Sequence, residues 1–211
     1  MISALFVETN GCYYDLPDVD PWDKARDARL YAGPHPVVAH PPCERWGRYW
    51  SGGPSARERR LLGDDGDCFA AALRAVRTWG GVLEHPEASK AWPWFGIPVP
   101  PKTGGWQWAG WVTRAGQSWT CCVEQGHYGH PARKATWLYA ITEHRPADLI
   151  WGASNGVRLD EGFHSKAERD AARAAGATPI RRLSKAENVA TPPAFRDVLI
   201  GIASSAIRRA A

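Results

Sequence analysis

No stretch of this chain approaches the roughly 20 consecutive apolar residues that a membrane-spanning helix requires, so no membrane partner is expected. Its five cysteines, Cys12, Cys43, Cys68, Cys121 and Cys122, form no evenly spaced framework and lack the paired spacing of structural zinc sites. His40 with Cys43, or Cys121 and Cys122 with His127 and His130, supply metal-binding side chains but not that pattern, and no metal is expected. His85-Pro86-Glu87 fits the first half of a zinc-dependent nucleobase deaminase signature, but the Pro-Cys-x-x-Cys half that must follow is absent. The first residues carry neither a basic segment nor a long apolar run. With the unpaired cysteines, this points to a reduced, intracellular (cytoplasmic) protein. A strong charge of one sign is lacking too. Lys and Arg number 26 against 22 Asp and Glu, a net +4, and the two signs interleave, which leaves only a mild bias toward a polyanionic partner.

Tryptophan is abundant. Twelve occur in 211 residues, many beside Gly or Pro, and they can either pack loops of irregular structure or stack on bases. The length suits one domain, residues 1–211. Ala4 to Val7 reads as a short apolar strand, followed by Gly11 in a turn. Val19-Asp20-Pro21 reads as a second strand ending in an acid, and Asp27 precedes a third apolar stretch. Pro36-Val37-Val38-Ala39 is a continuous apolar run stopped by two prolines, as in a strand buried on both faces. Helical spacing of Cys68, Ala72, Val76 and Trp79 predicts a helix stopped by Gly80-Gly81. Val82-Leu83 then makes a strand ending at Glu84. Strand, helix and strand in this order form a parallel crossover, which brings Cys43 and Glu84 to neighbouring strand ends, the edge where open α/β sheets bind ligands. Trp92 to Gln117, rich in Pro, Gly and Trp, reads as a long ordered loop or small lid. Trp119 to Val123 and Thr136 to Ile141 form a hairpin with a polar, basic loop. Ser165 to Ala175 reads as a short charged helix, and Thr191-Pro192-Pro193 opens a last helix with Phe195, Leu199 and Ile202 on one face. The fold class expected is α/β: a Rossmann-like, mostly parallel sheet with flanking helices and an antiparallel hairpin toward the C-terminal side.

Two side chains stand out for chemistry. In Ala39-His40-Pro41-Pro42-Cys43, two prolines fix the backbone and present the cysteine rigidly at a strand end, as a nucleophile needs. Arg45 and Arg48 nearby would favour the thiolate. The same cysteine also reads as a small buried hydrophobe after a Pro-rich turn. Glu84 ends the next strand, and a carboxyl group held partly protonated by burial there could hydrogen-bond a ring nitrogen and exocyclic amine; a lone strand-end Glu is otherwise a solvated acid or cap. The loop from His127 to Lys134 offers His127, His130, Arg133 and Lys134 for phosphate or base contacts, or is a solvated hairpin tip.

In order, these segments resemble the cytosine-C5 DNA methyltransferase family, particularly its short, divergent members of the kind found in phages. Val37-Val38-Ala39-His40-Pro41-Pro42-Cys43 is similar to that family's strand and Pro-Pro-Cys nucleophile. Val82-Leu83-Glu84-His85-Pro86 is similar to its Glu-Asn-Val strand end, and Tyr128-Gly129-His130-Pro131-Ala132-Arg133-Lys134 to its Tyr-Gly-x-Pro-Gln-x-Arg hairpin. The resemblance implies a flipped pyrimidine in DNA or a nucleotide, attacked at C6 by Cys43 and held at N3 by Glu84, with Arg133 or Lys134 on the base's carbonyl. It also implies S-adenosylmethionine as cofactor, contacted by Phe6, Gly11, Asp20, Asp27 and Pro41, with Arg45, Arg48, His127, His130 and Lys134 meeting nucleic acid. The sequence departs from the family in three places. The Gly-rich turn after the first strand is replaced by Phe6-Val7-Glu8-Thr9-Asn10-Gly11, the hairpin lacks its Gln, and little chain remains for a target-recognition domain. A non-catalytic nucleic-acid-binding relic, and an enzyme acting on nucleotides or transferring a group other than methyl, are the alternatives these departures leave.

Overall fold

The strands owe their apolar runs to burial on both faces of one sheet. In a computed structural model, which describes residues 1–52, 60–156, 170–171, 173–176 and 183–206, neighbouring strand residues alternate between two cores. Leu5, Val37, Ala39, Leu83, Tyr139 and Ile141 face one core, where they meet Phe69 and Val76. Ala4, Val38, Val82, Leu138 and Ala140 face the other, with Phe195, Leu199 and Ile202. A strand with no solvent face cannot alternate polar with apolar, which is why Val37-Val38-Ala39 is continuous.

Seven strands form the sheet: β1 (Ile2–Leu5), β2 (Val19–Trp22), β3 (Val37–Ala39), β4 (Gly81–Pro86), β5 (Gln107–Thr113), β6 (Gly116–Glu124) and β7 (Ala135–Thr142), in the order β2-β1-β3-β4-β7-β6-β5. Strands β2, β1, β3 and β4 are parallel neighbours, and β4, β7, β6 and β5 pair antiparallel. Helix α1 (Cys68–Trp79) connects β3 to β4 and packs on the first core, while the last helix packs on the second. Short helices α2 (Ala91–Trp94) and α3 (Lys185–Val189) precede that last one, α4 (Pro193–Ser204). The class is the expected mixed α/β, Rossmann-like sheet. Among the described residues no helix is long and apolar enough to cross a membrane.

Several local expectations are corrected. Strand β1 is Ile2–Leu5 rather than Ala4 to Val7, because Phe6 turns the chain with a φ of 59°. Asp20 lies inside β2 rather than at its end, and the stretch after Asp27 is a 3-10 turn, Ala28–Leu30. Trp92 to Gln117 is not a loop throughout. It contributes part of α2 and the whole of β5, the outermost strand of the main sheet, which is mostly exposed and irregular between Trp108 and Val112. Of the helix expected over Ser165 to Ala175, residues 165–169 and 172 lie outside the described residues; 170–171 and 173–174 are helical.

The register of β3 on β4 depends on one glycine. Gly81 sits opposite Val37 with a φ of 112°, and a Cβ there would lie 2.0 Å from the Val37 carbonyl oxygen. A side chain is barred by both the backbone conformation and the contact. Gly81→Ala is therefore expected to lose roughly 3 kcal/mol, seen as a Tm lower by about 6–12 °C. An unchanged Tm would mean that this close approach does not fix the register.

Candidate active site

With Ala39 paired to Leu83, the next residues along the two parallel strands, His40 and Glu84, stand side by side about 5 Å apart at their backbones. Their side chains meet: His40 Nδ1 lies 2.9 Å from Glu84 Oε2. Strand alternation points both toward the α4 side, the side of Val38 and Val82. Tyr13, buried in that second core, brings its hydroxyl to 2.8 Å from His40 Nε2. Glu84 Oε1 accepts a hydrogen bond from Gln125 Nε2 at 3.2 Å. Gln125 also donates to Thr136 Oγ1 at 2.9 Å, and the Thr136 hydroxyl donates to the Lys134 carbonyl at 3.0 Å. His40 and Gln125 thus bond the carboxylate directly; Tyr13 and Thr136 lie one bond further out in the same network, with the Lys134 carbonyl beyond Thr136.

Only 12% of the Glu84 side chain is exposed. Burial alone would raise its pKa, but the hydrogen bond and charge of His40 and the charge of Lys134 override it and hold the carboxyl at about 2. The partly protonated Glu84 expected from burial is thereby corrected: it is an anion at neutral pH, because the fold supplies donors on both oxygens. Lys134, with a φ of 43°, donates from Nζ to the carbonyls of Val189 (3.1 Å) and Ala190 (2.7 Å) in the segment that leads into α4. Burial lowers its pKa, while Glu84 and Cys43 counteract that.

Cys43 follows the Pro41-Pro42 corner. Its carbonyl accepts from the Trp46 and Gly47 amides at 3.0 and 2.7 Å, and Trp46 pins the turn. Buried against Phe69 and Phe95, Trp46 donates from Nε1 to Asp65 at 2.8 Å; Asp65 in turn accepts from the Phe69 amide at the start of α1. The thiol is half-buried, and its pKa is raised, first by burial and then by the Glu84 charge. The thiolate-favouring role expected of Arg45 and Arg48 is corrected accordingly, since the chief charges acting on the sulfur are those of Glu84, Glu44 and Lys134.

A cavity of about 650 Å³ opens at these strand ends, within the roughly 300–1,000 Å³ usual for small-molecule sites. Cys43 and Lys134 line it. Arg48, Arg60, Lys102 and Arg133 add positive charge, offset in part by Glu44, Glu87 and Glu124, and Trp50 adds an aromatic wall, while Glu84 is not among the lining residues. Arg133 is anchored by its Nε, which donates to the Gly156 carbonyl at 3.0 Å. Arg45 is not among the lining residues. The basic loop is no solvated hairpin tip. His130 is 4% exposed and bonded through both ring nitrogens to backbone, Ala132 and Glu187, so it holds the loop on α3 and has no nitrogen free for nucleic acid. His127 Nε2 is bonded to the Gly152 carbonyl at 3.1 Å.

The residues expected to hold S-adenosylmethionine are already bonded within the chain. Asp20 accepts from Trp22 Nε1 at 2.7 Å and from Arg26 at 2.5 Å. Asp27 caps the 3-10 turn and pairs with Arg29. The acid that follows the end of β2 is Asp23 rather than Asp20. It is 5% exposed and receives Thr9, Tyr14 and the Ala25 and Arg26 amides, which hold its pKa at about 2. Gly11 closes a turn on Glu8, with its amide 2.9 Å from the Glu8 carbonyl, and Pro41 is buried. Phe6 occupies a left-handed position with a side chain where the backbone would have to admit a ligand. This donor-saturated edge does not fit the cofactor. Among the described residues, no group of three or more His, Cys, Asp or Glu is placed to hold a metal ion.

Because the folded-state pKa of Glu84 lies below its ordinary 4.5, its contribution to stability is complete above about pH 4.5 and fades as pH falls toward 2. Glu84→Gln should unfold more easily at neutral pH, by about 1–3 kcal/mol, yet lose less between pH 4.5 and 2.5 than the parent, as read from urea midpoints. Parallel pH profiles for the two proteins would show that the carboxylate is not stabilised as described.

No protein-family model matches the chain, and no curated protein or solved structure is significantly similar to it; the site is defined by its own geometry.

Proposed function

We propose that this protein is a pyrimidine-modifying enzyme that adds the Cys43 thiol to C6 of a base presented in DNA or as a nucleotide, the first step of a C5 group transfer. The observation that carries this reading is that Cys43, on the corner beyond β3, and Lys134, just before β7, line one cavity beside Glu84 of β4. The Pro-Pro-Cys corner carries the methyltransferase resemblance most closely; at Glu84-His85-Pro86 only the Glu coincides with the family's Glu-Asn-Val.

As the sulfur–C6 bond forms, the C5=C6 π pair moves to C5 and, by conjugation, toward the exocyclic atom on C4. The positive charge of Lys134 stabilises that developing anion. The thiol proton leaves to solvent, and C5 takes a proton from solvent in turn. Loss of the original C5 hydrogen and expulsion of the thiolate regenerate the base. Without any donor, the net result is exchange of the C5 hydrogen with water. Because the acids expected to hold S-adenosylmethionine are engaged within the chain, the proposal stops at this adduct and assigns no donor.

A second reading is favoured by the Asp23 and Asp20 contacts: a nucleic-acid-binding relic that has closed its cofactor edge. It binds DNA with a steep salt dependence, shows no exchange, and has a Tm unmoved by millimolar S-adenosylmethionine.

Incubation with single-stranded oligonucleotides in deuterated water, read by mass spectrometry, should show Cys43-dependent deuterium at pyrimidine C5. Cys43→Ser should reduce it to background while DNA binding stays within about threefold, since the hydroxyl is a far weaker nucleophile. Exchange that survives in Cys43→Ser would overturn the covalent reading. DNA binding with no exchange on any pyrimidine would establish the relic.

A further inference from the structure

Two aromatic side chains of the Cys43 cavity, Tyr49 and Trp50, are not used by the fold. Trp46, Trp92 and Trp137 pack ring against ring, whereas neither Tyr49 nor Trp50 makes a ring contact or a side-chain hydrogen bond among the described residues. Both sit on the chain of turns that starts at Cys43. The Cys43 carbonyl accepts from the Gly47 amide (2.7 Å), that of Gly47 from Trp50 (3.1 Å) and that of Tyr49 from Gly52 (3.0 Å), so rings and sulfur are carried on one piece of backbone. Tyr49 is 71% exposed although it lines the cavity, which places it at the mouth; Trp50 is partly covered, and the buried Cys122 and Val123 close the deep end. Of the acids that oppose the lining cations, Glu124 accepts from the Ser154 amide and hydroxyl (2.6 and 2.9 Å) and Glu87 pairs with Lys102 at 3.5 Å. Arg133 is fixed through Nε on the Gly156 carbonyl, and its two Nη groups have no partner among the described residues. A guanidinium held by one edge presents the other as a fork for phosphate.

Rings without partners beside an oriented cation fit an unpaired strand, whose bases offer their faces and whose backbone offers phosphate. We infer that the Cys43 site takes its pyrimidine from a single-stranded nucleic acid, with a neighbouring base stacked on Tyr49 and Trp50 and a phosphate of the same strand on Arg133. This deepens the Cys43 reading and rests on it for the base that enters the cavity. In a duplex each base face is covered by the next base, and flipping extrudes one nucleotide while its neighbours stay in the helix, so the two rings would meet only sugar and phosphate. A mononucleotide has one base, which the Cys43 chemistry places in the cavity, and none is left for the mouth.

The test measures fluorescence anisotropy with Cys43→Ser on a labelled pyrimidine-centred nonanucleotide, the same sequence as a blunt duplex, its ribonucleotide version, and a pyrimidine mononucleotide as competitor. Either single strand should bind about tenfold or more tighter than the duplex, the tighter of the two naming the sugar, and the mononucleotide should compete only at about a hundredfold higher concentration. Tyr49→Ala should weaken strand binding about tenfold and Tyr49→Phe by less than about twofold, because stacking needs the ring and not the hydroxyl. Arg133→Gln should reduce the slope of log affinity against log salt by about 0.7, the value of one phosphate on a single strand. Trp108→Ala, which removes an exposed ring outside the cavity, should bind as the parent does. Duplex binding as tight as the single strand, a mononucleotide competing at equal concentration, or Tyr49→Ala binding as well as Tyr49→Phe would overturn the inference. Exchange of C5 hydrogen by the unaltered chain separates the two claims: the expected strand binding with no exchange would overturn the Cys43 chemistry and leave the single-strand site, and exchange confined to the mononucleotide would overturn the single-strand site and leave Cys43.

Discussion

A carboxylate with 12% of its surface in contact with solvent must be compensated from within, and the compensation of Glu84 ties together parts of the chain that the sheet alone would leave independent. Tyr13 comes from the β1–β2 connection, His40 from the end of β3, Gln125 from the turn after β6, and Thr136 from β7. Lys134, just before β7, carries the connection on to the segment between α3 and α4. His40 and Gln125 deliver hydrogen bonds to the buried anion, and Tyr13 and Thr136 bond those two in turn. The two halves of the sheet, parallel and antiparallel, meet at β4, and the carboxylate sits at that seam.

Signals that lie within a few residues of one another were readable from the sequence. The continuous run Val37-Val38-Ala39, the Pro-Pro corner, the helical stripe of α1 and the Gly80-Gly81 stop suffice to bring Cys43 and Glu84 together on neighbouring parallel strands, because a short βαβ crossover leaves few arrangements; the strand expected to end at Glu84 runs on to Pro86, held by its pairing with β7. The groups behind Glu84 are not legible. Gln125, which donates to it, and Tyr13, which bonds His40, are separated from it by 41 and 71 residues, and neither sits in a pattern that distinguishes it from any other polar residue. Strand β5 escaped notice because an exposed, irregular edge strand shows no alternation. His130 looked like a surface contact because its burial comes from docking on α3, a contact 57 residues away.

The sign of an ionisation is harder still to read. Burial at a strand end argues for a raised carboxyl pKa, and for Glu84 burial does push upward; only the three-dimensional supply of donors reverses the outcome. For Cys43 the reverse holds. The arginines at 45 and 48 are close in sequence, yet the charges that matter are Glu84 and Glu44, and the thiol is pushed up. The β1–β2 edge follows the same logic as the Glu84 site. Asp23 has the place of a ligand-binding acid, but Thr9, Tyr14 and two amides have taken its oxygens, so its position alone says nothing of availability.

Charge balance then constrains how the Cys43 sulfur can be activated. At rest the cluster holds the Glu84 anion, bonded to His40 and acted on by the Lys134 charge. Ionising Cys43 would add a second negative charge to a half-buried cluster in which Glu84 already opposes it. The thiol is therefore neutral until something changes the field, and none of the described neighbours bonded to Glu84 is left to do so. Under the proposed reading that change is the base itself: a carbonyl brought to the Lys134 charge gives the sulfur's electron pair somewhere to go, so that substrate binding and activation of the thiol become one event.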